Sequence, residues 1–217
     1  MLILYGHPFS SYTWKALIAL YEKDIAFDFR VVDPDQPWHD AELRGHWPPG
    51  KFPLIVDGDT ALFEASIIAE YSDRLAPQPR LIPDDRDAAL RVRLMDRVFD
   101  LHVMSPVQEM VNDRIRGAEG HVPAIVARAA AALESVYGWL DAELAGGGWA
   151  TPAGFTLADC AAAPALFYAD WVHPIAARYD NLRAYRARLL ARASIARCVD
   201  DARPYRAYFP GGAPDRD

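Results

Sequence analysis

The chain is poor in cysteine: its 217 residues hold two, Cys160 and Cys198. They lie far apart, and neither a Cys-x-x-Cys pair nor a zinc-ligand spacing can be built from them. A disulfide scaffold, a redox dithiol and a structural zinc site are therefore excluded, and each thiol, set in a helical pattern, reads as buried and free. No His/Cys/Asp cluster supports a metal. Long apolar runs are also lacking. Leu2-Ile3-Leu4-Tyr5 is too short for a signal-peptide core, and no run approaches the roughly 20 residues that span a bilayer. The expected setting is a soluble protein of the cytoplasm. Positive charge is in deficit, with 23 Lys and Arg against 30 Asp and Glu and a net charge of -7. That balance argues against nucleic acid and against membrane as partners. Internal repeats and low-complexity segments are absent. A hydrophobic share of 52% is ample for a real core and excludes disorder.

The segment that organises the rest is Leu2 to Tyr21. An apolar run breaks at Gly6-His7-Pro8, and Ser10 and Ser11 then open a segment with Trp14, Leu17, Ile18 and Tyr21 on one helical face. A buried strand thus delivers hydroxyls to a helix N-terminus, where unpaired N–H groups and a partial positive charge stabilise anions. A serine there reads either as an N-cap or as a donor to a bound thiolate or oxyanion.

Phe27, Phe29 and Val31 alternate with polar residues and form a second strand, completing a βαβ unit. Asp33 to Pro49 carries four prolines and has room only for a short helix, about Asp40 to Gly45. Leu54-Ile55-Val56 and Ala61-Leu62-Phe63 flank Asp57-Gly58-Asp59, a hairpin signal. A helix through Ile67, Ile68, Tyr71 and Leu75 follows. Ala76-Pro77-Gln78-Pro79-Arg80 breaks the chain, and every later pattern is helical. Asp84-Asp85 open a long helix with Leu90, Leu94, Val98, Leu101, Val107 and Val111 as its apolar positions. Further helices run from Ile125 to Leu144, through Leu157 to Trp171 with Pro164 expected to kink it, from Leu182 to Ala191 and from Ser194 to Ala202. A polar tail is expected to fray. The division is 1–76, a linker at 77–83, and 84–217.

This order, with Tyr5 to Ser11, Gly50-Lys51-Phe52-Pro53-Leu54, Glu64 opening the third helix, and Phe155-Thr156-Leu157-Ala158-Asp159, resembles the cytosolic glutathione transferases. The likeness is to bacterial, serine-type members near the theta and zeta classes. It implies an α/β thioredoxin-like N-terminal domain that binds glutathione, followed by an all-α helical domain carrying a hydrophobic substrate site. It also implies a homodimer, with the first domain of one chain on the fourth and fifth helices of the other, and a role in detoxification. The activity implied is attack of the glutathione thiolate on a small hydrophobic electrophile. A glutathione-dependent isomerase or peroxidase, or a non-catalytic binding module of the same fold, stands as the alternative.

By the same resemblance, Ser10, with Ser11 and Tyr12 as runners-up, would stabilise the thiolate, while Tyr5, where tyrosine-type members keep their catalytic phenol, reads rather as a core aromatic. A cis Phe52–Pro53 bond would present the backbone of Phe52 to the cysteinyl part of glutathione. The third helix, from Glu64, Ala65 and Ser66, would bind the γ-glutamyl carboxylate. Family members have Glu-Ser there, so Ala65 removes or displaces one hydroxyl. Trp38, His39 and Lys51 align with positions reaching the glycine carboxylate, and Asp100 with an acid reaching across the dimer. His102, Met104, Met110, Trp171 and Tyr208 would face the second substrate. Thr156 and Asp159 form a capping box, a folding signal without chemistry.

Overall fold

The computed structural model describes residues 1–217. The first apolar run forms strand β1 (Leu2–Gly6). Then come α1 (Ser11–Glu22), β2 (Phe27–Val31), α2 (Pro37–His46), β3 (Leu54–Asp57), β4 (Thr60–Phe63) and α3 (Ala65–Leu75). The strands lie in the order β2-β1-β3-β4. β1 and β2 are parallel, as a helical crossover permits, and β3 is antiparallel to both β1 and β4. This is the thioredoxin-like βαβαββα unit with a mixed sheet. Alternation along β1 divides its two faces. Leu2 and Leu4 enter the main core with Trp14, Leu17 and Ile68, whereas Tyr5 joins Leu43 of α2 with Leu54 and Val56. Gly6 ends β1 where a side chain has no room: a Cβ would lie 2.6 Å from Thr13 Cγ2. Its absence lets α1 start hard against the end of the strand.

Two local expectations are corrected. The proline-rich segment holds a ten-residue helix, α2, longer than Asp40 to Gly45. Pro37 occupies its first turn, where the missing N–H costs nothing. The hairpin turn is Gly58-Asp59 alone, because Asp57 pairs with Thr60. Gly58, at φ +57, takes the positive dihedral that a two-residue turn requires.

The remainder is helical: α4 (Arg86–Arg97), a π-helical segment (Val98–Met104), α5 (Ser105–Gly120), α6 (Pro123–Glu143), α7 (Leu157–Val172), α8 (Asp180–Leu190), α9 (Ala193–Ala202) and a short 3-10 turn (Arg203–Tyr208). Asp85 caps α4 by accepting the Ala88 N–H at 2.8 Å. The long helix carries two apolar stripes, and the one that reaches the core is Val92, Met95, Phe99, Val103 and Val107; Leu90, Leu94 and Leu101 are exposed. Periodicity identifies a stripe without saying which stripe is buried. α7 is buried along nearly its whole length and continues through Pro164. Beneath it the buried Asp159 carboxylate accepts from the N–H of Thr156 and Ala150, both at 2.9 Å, and from the Tyr185 hydroxyl at 2.7 Å. The tail is held in place: Asp217 pairs with Arg203 and Arg206, and Arg216 with Asp170. Both cysteines are buried and free.

Candidate functional site

Ser10 is the N-cap of α1, its hydroxyl accepting the Thr13 N–H at 3.3 Å. Its own N–H donates to the His7 carbonyl at 2.9 Å. Ser11 is buried, Tyr12 is half-buried, and no acidic side chain stands in the first turn. The positive end of α1 is therefore not neutralised locally. Burial, and then the nearby Asp100, push the Tyr12 phenol above its ordinary pKa, so its hydroxyl stays protonated and available as a donor. Tyr5 lies on the opposite face of the sheet. Its hydroxyl donates to Glu42 at 3.1 Å and accepts from Arg30 at 2.9 Å, which leaves it no free proton for a thiol.

A cavity of about 300 Å³ opens beside this helix start, between the sheet unit and the helices. Ser10, Ser11, Tyr12 and Gln108 supply its polar wall. Met104, Val107, Val111 and Ile115 form one apolar side, and Phe9, Tyr168, Tyr208 and Phe209 the other. Its lining contains no Lys, Arg or His. The Tyr168 hydroxyl donates to the Phe9 carbonyl at 2.8 Å, tying α7 to the serine loop. Of the residues expected to meet a second substrate, Met104 and Tyr208 line the cavity. Met110 is core, and Trp171 sits one layer back against Phe9 and Phe209. His102 is the exception. It points outward beside Leu101 and Trp139 in a separate surface hollow, because the π-segment turns it away from the core-facing side that carries Met104.

The Phe52–Pro53 peptide is cis. Phe52 packs on the Tyr5 cluster, and Lys51 is exposed. Trp38 is 56% exposed on α2, and His39 Nδ1 is 2.8 Å from the Val31 carbonyl. Glu64 sits at φ +71, a dihedral that non-glycine residues adopt at a cost of about 1–3 kcal/mol. It precedes α3, whose N-terminus no side chain caps. Ala65 is buried.

Ser66 is already committed. Its hydroxyl accepts from Lys15 Nζ at 2.8 Å and from Arg97, and donates to Asp96 at 3.0 Å. A hydroxyl has one proton and two lone pairs, so none of its capacity remains. Lys15, with a side chain 1% exposed, also pairs with Asp96 and with Asp100, the latter at 2.8 Å. Arg97 bridges both acids at 2.6 Å. Asp100, expected to reach across a dimer, is thus engaged within its own chain. Burial holds its carboxyl above the ordinary range despite Lys15. The sequence reading missed Lys15. The available signals were a lone cation in the buried run Trp14-Lys15-Ala16-Leu17 and two acids, Asp96 and Asp100, one helical turn apart. No group of three or more His, Cys, Asp or Glu is placed to hold a metal ion, and no helix is long and apolar enough to cross a membrane.

The βαβαββα unit, the helical half and the cavity between them define a class. The family profile described as Glutathione S-transferase, N-terminal domain, matches residues 4–80, and that described as Glutathione S-transferase, C-terminal domain, matches residues 123–188. The chain belongs to the cytosolic glutathione transferase family. It is 35% identical over 114 residues to a stringent starvation protein A homologue of Coxiella burnetii, covering 50% of this chain and 53% of that one. It is 33% identical over 106 residues to a probable maleylacetoacetate isomerase of Vibrio cholerae, covering 46% and 49%. The chain spans about half the length of these curated relatives. A solved glutathione S-transferase from Methylobacillus flagellatus, with glutathione bound, superposes with a TM-score of 0.81 at 26% identity, covering 91% of this chain and 98% of that one.

Proposed function

We propose that the chain is a glutathione transferase that adds the glutathione thiolate to a small, uncharged, hydrophobic electrophile. The observation that carries this reading is the continuity of one cavity from the Ser10-Ser11-Tyr12 hydroxyls at the start of α1 to an aromatic and aliphatic chamber lined without cations. Glutathione would lie along residues 1–76, with Phe52 and Pro53 meeting its cysteinyl backbone and the uncapped N-terminus of α3 taking the γ-glutamyl carboxylate. Trp38, His39 and Lys51 would face its glycine end. Residues 84–217, beyond a linker at 77–83, would hold the electrophile against Met104 and Tyr208. A free thiol titrates near 8.5. A hydroxyl donor and the positive end of α1 lower that value and raise the share of nucleophile. The thiolate attacks the electrophilic carbon, a new C–S bond forms, and the leaving group departs or the double bond takes up the electron pair.

The same reading places the protein in the cytoplasm as a homodimer acting in detoxification. Support for pairing is the outward stripe of Leu90, Leu94 and Leu101 with Trp139, an apolar face on α4, the π-segment and α6. The isomerase alternative, suggested by the Vibrio cholerae relative, is disfavoured, since a carboxylate-bearing substrate meets no cationic side chain in the lining. A non-catalytic binding module is favoured by one observation: Ala65 removes a hydroxyl, and the committed Ser66 does not replace it. Retention on glutathione-agarose, together with a standard aryl-halide conjugation assay, separates the readings. Retention with turnover supports the transferase, retention alone the binding module, and neither contradicts both.

A further inference from the structure

His7 has no part in the chemistry above, yet it is the most connected side chain of the serine loop. It follows β1, three residues before Ser10, with its side chain 13% exposed. Its carbonyl accepts the Ser10 N–H at 2.9 Å, and its own N–H donates to Thr13 Oγ1 at 3.3 Å. The ring Nδ1 lies 3.0 Å from the Phe9 N. A backbone N–H can only donate, so Nδ1 is the acceptor, and the neutral ring carries its proton on Nε2. That proton donates to Asp33 Oδ2 at 3.3 Å. Asp33 follows β2 and is itself fixed by the Asp35 N–H at 3.0 Å. The ring packs edge-on against Tyr205, centroids 4.6 Å apart, and lies 6.3 Å from Tyr208. One imidazole therefore joins the loop carrying Ser10 to the end of β2 and to the C-terminal turn that supplies a cavity wall.

We infer that His7 is the positioning residue of the serine loop: its unprotonated Nδ1 fixes Phe9 and thereby holds the Ser10 hydroxyl in line with the thiol. This rests on the transferase reading for its effect on turnover, but the loop geometry itself does not. His7 is not among the residues lining the cavity, and its role is to place the loop rather than to transfer a proton. The groups facing the ring are Asp33, which favours a second proton, and the phenols of Tyr205 and Tyr208 packed beside it. Burial and the Phe9 N–H oppose that second proton, and burial is the larger effect, so the ring titrates below its ordinary value.

Two substitutions separate the two ring nitrogens. In His7→Asn the side-chain oxygen reaches the place of Nδ1 and can accept the Phe9 N–H. In His7→Gln the amide reaches the place of Nε2 and keeps Asp33, with no acceptor for Phe9. His7→Asn should retain kcat within about threefold, while His7→Gln should lose about tenfold in kcat with KM for glutathione unchanged, as expected for a misplaced loop. Hydrogen exchange of the Phe9 amide should be about fivefold faster in His7→Gln and near wild type in His7→Asn, the effect of one lost hydrogen bond. In the wild type, Phe9 exchange corrected for intrinsic rate should rise as acid protonates Nδ1. If neither variant folds, this pH dependence alone decides. Equal turnover in the two variants, a larger loss in His7→Asn, or Phe9 protection independent of both residue 7 and pH overturns the inference. Absence of conjugation by the wild type overturns the transferase reading instead, and Phe9 exchange still decides the role of His7.

Discussion

Lys15 Nζ lies 2.8 Å from Asp100 Oδ2, a buried ion pair that joins the first helix to the π-helical segment of the helical half. With Asp96, Arg97 and Ser66 it forms a polar knot at the contact between the two parts of the molecule. Removing one partner leaves charges buried with too little compensation, whereas the intact pair contributes modestly. Lys15→Met should therefore destabilise the fold by about 3–5 kcal/mol, measured by urea unfolding. A cost below about 1 kcal/mol, the range of exposed pairs, would mean that Arg97 alone suffices for both acids.

The knot also bears on glutathione. Because every bond of the Ser66 hydroxyl is taken, a new hydroxyl at the start of α3 must come from residue 65. Ala65→Ser should tighten glutathione binding by about 1 kcal/mol, roughly fivefold in Kd, as read by calorimetry. Unchanged affinity would mean that the carboxylate does not dock at α3.

Acid should weaken the fold partly through His7. Burial holds its pKa below the ordinary value, so the unfolded chain binds this proton more readily than the folded one. Its contribution is complete above about pH 6.5 and is lost as pH falls from there through the lower folded value. Stability curves in urea between pH 7.5 and 5 should slope downward toward acid, and His7→Asn should flatten that slope. An identical slope in the variant would assign the loss to other groups.

Pairing of two chains is tested on the outward stripe. Leu101→Glu places a charge beside Val98, Pro106 and Trp139 without touching the core, since Leu101 is exposed. Sedimentation at micromolar concentration should show a dimer for the wild type and a monomer for the variant. A monomeric wild type would remove the homodimer from the account.

Much of this was legible in sequence because local chemistry and global fold agreed. The βαβ start, the hairpin around Gly58 and the Thr156–Asp159 helix start each follow from short-range rules. Two kinds of information were not legible. The long helix offers two apolar stripes of nearly equal strength, and only packing against α7 selects Val92, Met95 and Phe99 over Leu90 and Leu94. The same geometry turns His102 away from the cavity. Buried charge is the second kind: Lys15 acquires its meaning from Asp96 and Asp100, some eighty residues downstream, and no periodicity reports that pairing. Ser66 and Asp100 take their surroundings from those contacts, and His7 takes its own from Asp33 and the distant Tyr205.

Ultraviolet titration of glutathione on the protein shows whether the start of α1 ionises a bound thiol. Wild type should show bound thiolate at neutral pH. Ser10→Ala should raise the thiol pKa and slow conjugation about ten- to a hundredfold, the worth of a charge-assisted bond. It should also cost about 1 kcal/mol of stability as a lost N-cap. Ser11→Ala and Tyr12→Phe are the controls; a shift in either alone would move the donor to that residue. Bound glutathione whose thiol titrates near 8.5 in the wild type, unchanged in all three variants, would contradict the account.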